Sequence, residues 1–372
     1  MNLAWKDIRR QRVRFLFTGV GLGLLFTIVL AMGGIYRGMV VDATMLIDAI
    51  DADLWVVQRD TRGPFAERSV VPRELEDRLR VVDGVATAET FTYATIQRGD
   101  VANPMRLGVV GLSWPANRGQ DIPLVEGRPI GQAHRELIVD RALGLGIGTQ
   151  ITLGDDTYAV VGVTSGFVSS GGDPLAFATE RDADAILGWV APESQRLGLT
   201  PGVLPSAIVV HLLPGVDVPA VQARLAAWPD VTVWSAQEQR DLLLQGVIDK
   251  ARKQIGLFRV LLSIVSAIIV ALILYNMTVA KSHEIALVKL LGGRTRVIVG
   301  MILQQALLLG GIGYAVAVGI GSVAFQHFPR RVIVTPTELG GLAALVVVIS
   351  ILASIAGIVR ALRIPPTLVL AG

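Results

Sequence analysis

The stretch Ile255-Gly-Leu-Phe-Arg-Val-Leu-Leu-Ser-Ile-Val-Ser-Ala-Ile-Ile-Val-Ala-Leu-Ile-Leu-Tyr-Asn-Met-Thr-Val279 is apolar at almost every position, Arg259 excepted. About 20 such residues cross a bilayer as a helix, so the stretch reads as a membrane span. Upstream, Ser235-Ala-Gln-Glu238 has the spacing of a capping box, in which each side chain satisfies a free N–H at a helix start. Between the two, Leu242, Leu243, Leu244, Val247, Ile248 and Ile255 keep one face apolar, while Glu238, Arg240, Asp241, Lys250, Arg252 and Lys253 populate the rest. That pattern is amphipathic rather than lipid-immersed. No Gly-Pro break intervenes, so the sequence predicts one stalk helix over 235–280, continuous with the second span and roughly 65 Å long at about 1.5 Å per residue.

Three more apolar runs follow the same rule: Phe15 to Tyr36, Val297 to Phe325 and Leu339 to Val359. The expected fold class is therefore a membrane protein with four transmembrane α-helices and a large α+β extracytoplasmic domain between helices 1 and 2. The expected layout is an N-terminal interfacial helix with the first span over 1–36, and the outer domain over 37–234. The stalk and second span occupy 235–280 and a cytoplasmic segment 281–296. The third span is expected over 297–325, the fourth over 339–360 and a cytoplasmic tail over 361–372.

Orientation follows from the basic residues. Lys6, Arg9, Arg10, Arg12 and Arg14 precede the first span, Lys281, Lys289, Arg294 and Arg296 lie between the second and third, and Arg360 and Arg363 follow the fourth. The positive-inside rule places these segments, and both termini, in the cytoplasm of a plasma (inner) membrane. Lys250, Arg252, Lys253, Arg330 and Arg331 run against the bias. Residues 1–32 also have the basic and apolar parts of a signal peptide, but the apolar run exceeds a usual h-region. Trp5 to Arg14 reads as a short interfacial helix on membrane lipids. A net charge of +3 is absorbed by the flanking bias and gives no reason to expect nucleic acid. The chain has no cysteine, which excludes disulfides and thiolate metal sites.

The outer domain contains an internal repeat. Leu75-Glu-Asp-Arg-Leu-Arg-Val-Val-Asp-Gly-Val85 matches Val221-Gln-Ala-Arg-Leu-Ala-Ala-Trp-Pro-Asp-Val231, each an amphipathic helix, a turn and a strand, and each follows a β-rich run, Asp53 to Gln58 and Ala207 to Leu213. Two such units imply a ferredoxin-like layer with an insertion between them. The β-rich insertion is expected at about 124–200, with strands at Glu136 to Asp140, Thr149 to Leu153 and Tyr158 to Val163. Ser169-Ser-Gly-Gly-Asp-Pro174 reads as a loop without phosphate-loop spacing.

Glycines mark the close-packed spans. Gly19-x-x-x-Gly23 permits close helix approach, and Gly310, Gly311, Gly313, Gly319 and Gly321 give the third span the same character. Thr335-Pro-Thr-Glu338 is a second capping box, with Pro at the first helical position.

No His-Glu-x-x-His, Gly-x-Ser-x-Gly or Gly-x-x-x-x-Gly-Lys-Ser/Thr occurs, and His134, His211, His283 and His327 are scattered. Apart from Arg259, the span interiors hold almost no ionisable group of the kind ion-driven carriers use. No catalytic residue, metal site or bound cofactor is expected. A membrane protein without ion relay or nucleotide motif, but with an amphipathic cytoplasmic segment, fits a subunit driven by a separate motor.

Glu284-Ile-Ala-Leu-Val-Lys-Leu-Leu-Gly-Gly293 resembles the cytoplasmic coupling segment of MacB/FtsX-like (type VII) ABC transporter permeases. The opening Leu3-Ala-Trp-Lys-Asp-Ile-Arg-Arg10 and the insertion strands are similar to the same family, and Asp51-Ala-Asp-Leu-Trp-Val-Val57 resembles its DevC-like branch. The resemblance implies a permease subunit with these partners: an ABC ATPase that holds ATP and magnesium, a second permease copy forming a homodimer, and a periplasmic adaptor protein. It implies ATPase coupling through His283, Glu284, Leu287, Val288, Lys289, Gly292 and Gly293, and substrate contact through Met32, Tyr36 and Met39. The function expected is export or extraction of a hydrophobic substrate by mechanotransmission. The alternative is a signalling scaffold that activates a cell-wall hydrolase.

Overall fold

A computed structural model of the protein describes residues 12–98, 105–117, 119, 121–190, 204–245, 249–292, 294–328 and 330–365. Trp5 of the expected interfacial helix, residues 246–248 of the expected stalk, Gly293 and the tail from Pro366 lie outside these residues. Two compact units are formed, one from 1–38 with 251–372 and the other from 39–250.

In the first unit, four helices are long and apolar enough to cross a membrane. They belong to α1 (Arg12–Ile50), α6 (Asp249–Ala280), α8 (Thr295–Ala324) and α9 (Pro336–Leu362). Their shared core includes Leu22 and Phe26 of α1, Val270 and Leu274 of α6, Leu309 of α8 and Val346 of α9. The helices approach closely where side chains are missing. A Cβ at Gly19 would collide with Ile312 Cγ2, one at Gly23 with Val316 Cγ1, and one at Gly310 with Ser350 Oγ. Gly311 and Gly319 have nothing within 4 Å, so only part of the glycine pattern of the third span serves packing among the described residues.

The first helix does not stop at Tyr36. It runs to Ile50 because Ala43, Leu46 and Ile47 continue a helical stripe that is buried, and it ends at Asp51 with φ 51°.

The second unit is built on one path of strands. β1 (Leu54–Gln58), α2 (Glu74–Arg80), β2 (Val85–Arg98), β9 (Ala207–Leu212), α4 (Val218–Ala226) and β10 (Val231–Ser235) form two β-α-β units with sheet order β10-β1-β9-β2, all antiparallel. This is the ferredoxin-like layer expected from the repeat. Leu75 and Leu79 of α2 and Val221 and Leu225 of α4 are buried in one core with Leu54, Val56, Ile208 and Val210. The alternate residues Trp55 and Phe91 face the other side, edge to face at 5.2 Å.

The insertion begins upstream of the expected residue 124. β2 is 14 residues long, and while Val85–Phe91 pair with β9, Thr92–Arg98 pair with β3 (Met105–Leu112). From there the sheet continues through β8 (Leu175–Thr179), β5 (Glu136–Asp140), β7 (Asp156–Thr164) and β4 (Leu124–Gly127), with β6 (Gln150–Leu153) paired to β7. α3 (Glu180–Val190) packs on this part through Ala183 and Ile186. Ser169 to Pro174 is a turn closed by Ser169 N donating to Asp173 O at 2.7 Å.

α5 (Ala236–Leu243) starts at the Ser235 capping box, with Glu238 N donating to Ser235 Oγ and Ser235 N to Glu238 Oε2. Leu244 and Gln245 carry α5 on as a π turn, α6 spans Asp249–Ala280, and residues 246–248 between them lie outside the described residues.

Candidate functional site

The segment between α6 and α8 folds as α7 (Ser282–Leu290). Its two faces are chemically different. Ile285 and Ala286 are buried with Ile298 and Ile302 of α8 and Ala361 and Ile364 at the end of α9, and Val288 packs at the edge of this cluster. The opposite stripe consists of His283, Glu284, Leu287 and Leu290, all exposed, and continues into Leu291. Leu287 and Leu291 are 43% and 79% exposed, an apolar surface that nothing in this chain covers among the described residues. A helix of nine residues is too short to be stable alone in water, so the buried face is what holds α7 in shape.

Lys289 fixes the helix further. Its Nζ donates to Ala361 O at 2.9 Å, Leu362 O at 3.0 Å and Ile364 O at 2.9 Å. The last carbonyls of a helix have no partner within it and carry the negative end of its dipole, so a lysine there supplies both hydrogen bonds and charge. Lys289 is thus engaged with α9. Gly292 follows the helix with φ 76°, and its N–H donates to Lys289 O at 3.1 Å. Glycine takes this left-handed conformation without the Cβ penalty.

Of the residues expected to contact ATPase, His283, Glu284 and Leu287 share the exposed stripe, Val288 and Lys289 turn toward the protein, and Gly292 closes the helix. Met32, Tyr36 and Met39 follow one another at helical spacing along α1 and are half-buried.

A second group of residues escaped the sequence reading. Glu338 in the first turn of α9 receives Arg37 of α1 at 3.4 Å on Oε1 and lies 3.9 Å from Arg259 of α6 through Oε2. Thr335 caps α9 by accepting from Glu338 N at 3.4 Å, but the Glu338 carboxylate is turned to the arginines and does not complete the expected capping box. The only sequence signals were Arg259 inside an apolar run and Glu338 at a cap. Among the described residues, no three His, Asp or Glu side chains gather as metal ligands.

Comparison with known proteins accounts for both units. The MacB-like periplasmic core domain matches residues 15–228, more than half of the chain, and the FtsX-like permease C-terminal domain matches residues 248–366. The chain belongs to the MacB/FtsX-like family of ABC transporter permeases. An uncharacterized ABC transporter permease of Mycobacterium tuberculosis is 25% identical over 375 residues, covering 99% of each chain. A protein of Staphylococcus epidermidis, described as a candidate hemin transport system permease protein, HrtB, is 22% identical over 324 residues, covering 85% of this chain and 83% of that one. Among solved structures, the periplasmic region of MacB from Actinobacillus actinomycetemcomitans covers 51% of this chain and 92% of its own at 10% identity and a TM-score of 0.37.

Proposed function

We propose that this chain is the membrane subunit of an exporter in which a separate ATPase, holding ATP and magnesium, docks on the exposed stripe of α7. The observation that carries the reading is the division of α7 into a face locked onto α8 and α9 and an exposed face bearing Leu287, Leu290 and Leu291. An apolar stripe on a rigid short helix is suited to a partner groove. Push on α7 enters α9 through Lys289 and α6 through the adjoining chain at Lys281. α6 and α1 each extend from the apolar unit into the sheet domain's residues, so they are the elements able to carry motion there.

In this reading two copies pair, the termini and α7 face the cytoplasm of the plasma membrane, and the sheet domain lies outside, where an adaptor binds it. Met32, Tyr36 and Met39 line the substrate's path near the outer end of the first span. The cargo is a hydrophobic or amphipathic molecule.

The test is ATPase stimulation and export in the reconstituted complex. Leu287→Asp and Glu284→Arg are expected to reduce stimulation by about tenfold or more, while membrane insertion and copy pairing stay unchanged. Full stimulation and export by Leu287→Asp would reduce α7 to a connector and overturn the docking assignment.

A further inference from the structure

We propose that Arg37, Arg259 and Glu338 form a recognition site for the anionic head, carboxylate or phosphate, of an amphipathic small molecule. Arg259 lies inside the second apolar run, where an ionisable group is costly to keep and marks a functional position. Arg37 and Glu338 stand at the ends of the first and fourth runs, so three helices contribute one group each from positions far apart in sequence.

The stoichiometry is two guanidiniums to one carboxylate, and the contacts are loose. A charge-assisted hydrogen bond between guanidinium and carboxylate runs about 2.7–2.9 Å, often as a parallel pair. Arg37 reaches Glu338 by one bond at 3.4 Å, and Arg259 stands at 3.9 Å, beyond hydrogen-bond reach. The Arg37 Nε is buried and has no hydrogen-bond partner among the described residues. Most of the donor capacity facing Glu338 is therefore unspent.

Access favours an incoming anion. The Arg37 and Arg259 side chains are 42% and 36% exposed, whereas that of Glu338 is 16% exposed. An anion meets the guanidinium forks first, with the carboxylate behind them. The backbone makes room for this arrangement: a Cβ at Gly33 would lie 2.7 Å from Glu338 Oε2 and 3.8 Å from Arg259 Nη1. Tyr36 and Met32, half-buried on the same helix, supply the adjacent apolar and aromatic surface for the body of the ligand. Glu338 then acts as a resident counter-ion, keeping the two arginines together when the site is empty and competing with the ligand for them.

That competition separates a binding site from a structural ion cluster. In a cluster kept only for packing, loss of any member weakens the group. In the site proposed, removing Glu338 frees both arginines. The inference rests on the permease reading only for calling the bound anion cargo, and binding measured without ATPase stands or falls independently of coupling.

The experiment uses the full chain in neutral maltoside micelles with dansylaminoundecanoate as the probe, read by fluorescence anisotropy. Saturable binding is expected, displaced by laurate and dodecyl phosphate and not by dodecyltrimethylammonium. Arg37→Gln and Arg259→Gln are expected to weaken binding about tenfold each, and Glu338→Gln to tighten it several-fold. Displacement by phosphatidylglycerol as well as laurate assigns the head to a bilayer lipid, displacement by laurate alone assigns it to a diffusible amphiphile, and either supports the site. Displacement by inorganic phosphate at equal concentration would overturn the requirement for an amphipathic ligand. Where a Gln variant loses the parent's gel-filtration profile, Arg37→Lys and Arg259→Lys replace it, with weaker but measurable binding expected. Absence of saturable binding, indifference to the arginine substitutions, or weakening by Glu338→Gln in a folded protein would overturn the proposal.

Discussion

At the scale of the residue, Lys289 shows how one side chain acquires a role that its sequence neighbours do not announce. In the sequence it is one cation in a short amphipathic segment, and family resemblance points it at a partner. In the structure its ammonium is committed to three carbonyls at the end of α9. Each is a charge-assisted bond at a helix terminus, and the net contribution of such a cap is about 1–2 kcal/mol. Lys289→Met keeps an unbranched aliphatic side chain but removes the cap. The expected result is a lower thermal unfolding midpoint of the full-length protein, with faster amide exchange confined to α7 and the last turn of α9. Unchanged exchange at Leu362 to Ile364 would show that the cap does not hold α9. Lys289→Arg, whose fork can still donate to carbonyls, should restore most of the protection. Leu287 lies two residues away on the opposite stripe, so its substitution should leave this exchange pattern alone, and the two variants separate a structural role from docking.

At the scale of the element, local periodicity carried most of what the sequence revealed. Leu75 and Leu79 sit at the same step as Val221 and Leu225, and each pair lies one helical turn apart, so both helices and their buried faces were readable without knowledge of the fold. The continuation of α1 from Arg37 to Ile50 was not readable, because Arg37, Asp42 and Asp48 interrupt the apolar run while Ala43, Leu46 and Ile47 still satisfy the helical stripe. Contacts between elements were less legible still. Arg73, at the start of α2, pairs with both Glu180 and Asp184 of α3, tying the ferredoxin-like layer to the insertion across more than a hundred residues. Burial pushes the Asp184 carboxyl up to about 6, against the opposing pull of Arg73. A carboxyl whose pKa is raised on folding contributes stability that is fully present below its unfolded value and is lost as pH rises through about 6. Glu89, also raised by burial, adds the same sign, whereas Glu136, Asp230 and Glu238 are held below the ordinary carboxylate range by hydrogen bonds and act only at lower pH. The unfolding midpoint should therefore fall between pH 5 and pH 7, and Asp184→Asn should flatten much of that slope. An equal slope in the variant would show that Asp184 is ionised throughout the range.

At the scale of the whole molecule, composition and span count sufficed to announce a membrane protein, and the order of span, large domain and three further spans was readable because bilayer thickness imposes a length on every crossing helix. The Arg37, Arg259 and Glu338 group was not, since its members come from three helices and no local rule links residues 79 or 301 positions apart. Orientation rests on the sum of flanking charges. The segment joining α6 to α8 carries Lys281, Lys289 and Arg294, and Arg296 stands in the first turn of α8, all within short reach of two spans, where the positive-inside rule is strongest. The opposing Lys250, Arg252 and Lys253 lie in the first turns of α6, directly after a large domain in the sequence, and long domains translocate largely regardless of charge. The bias therefore favours a cytoplasmic α7 and an outer sheet domain. Because the chain has no cysteine, single cysteines report side directly. Asp155, exposed in the turn between β6 and β7, and Thr295, exposed at the start of α8, are suitable positions. An impermeant maleimide applied to intact cells, with any outer membrane opened, should label Asp155→Cys and not Thr295→Cys. The reverse pattern would place α7 outside the cell, where no ATP-driven partner could reach Leu287, and would end the coupling reading together with the orientation.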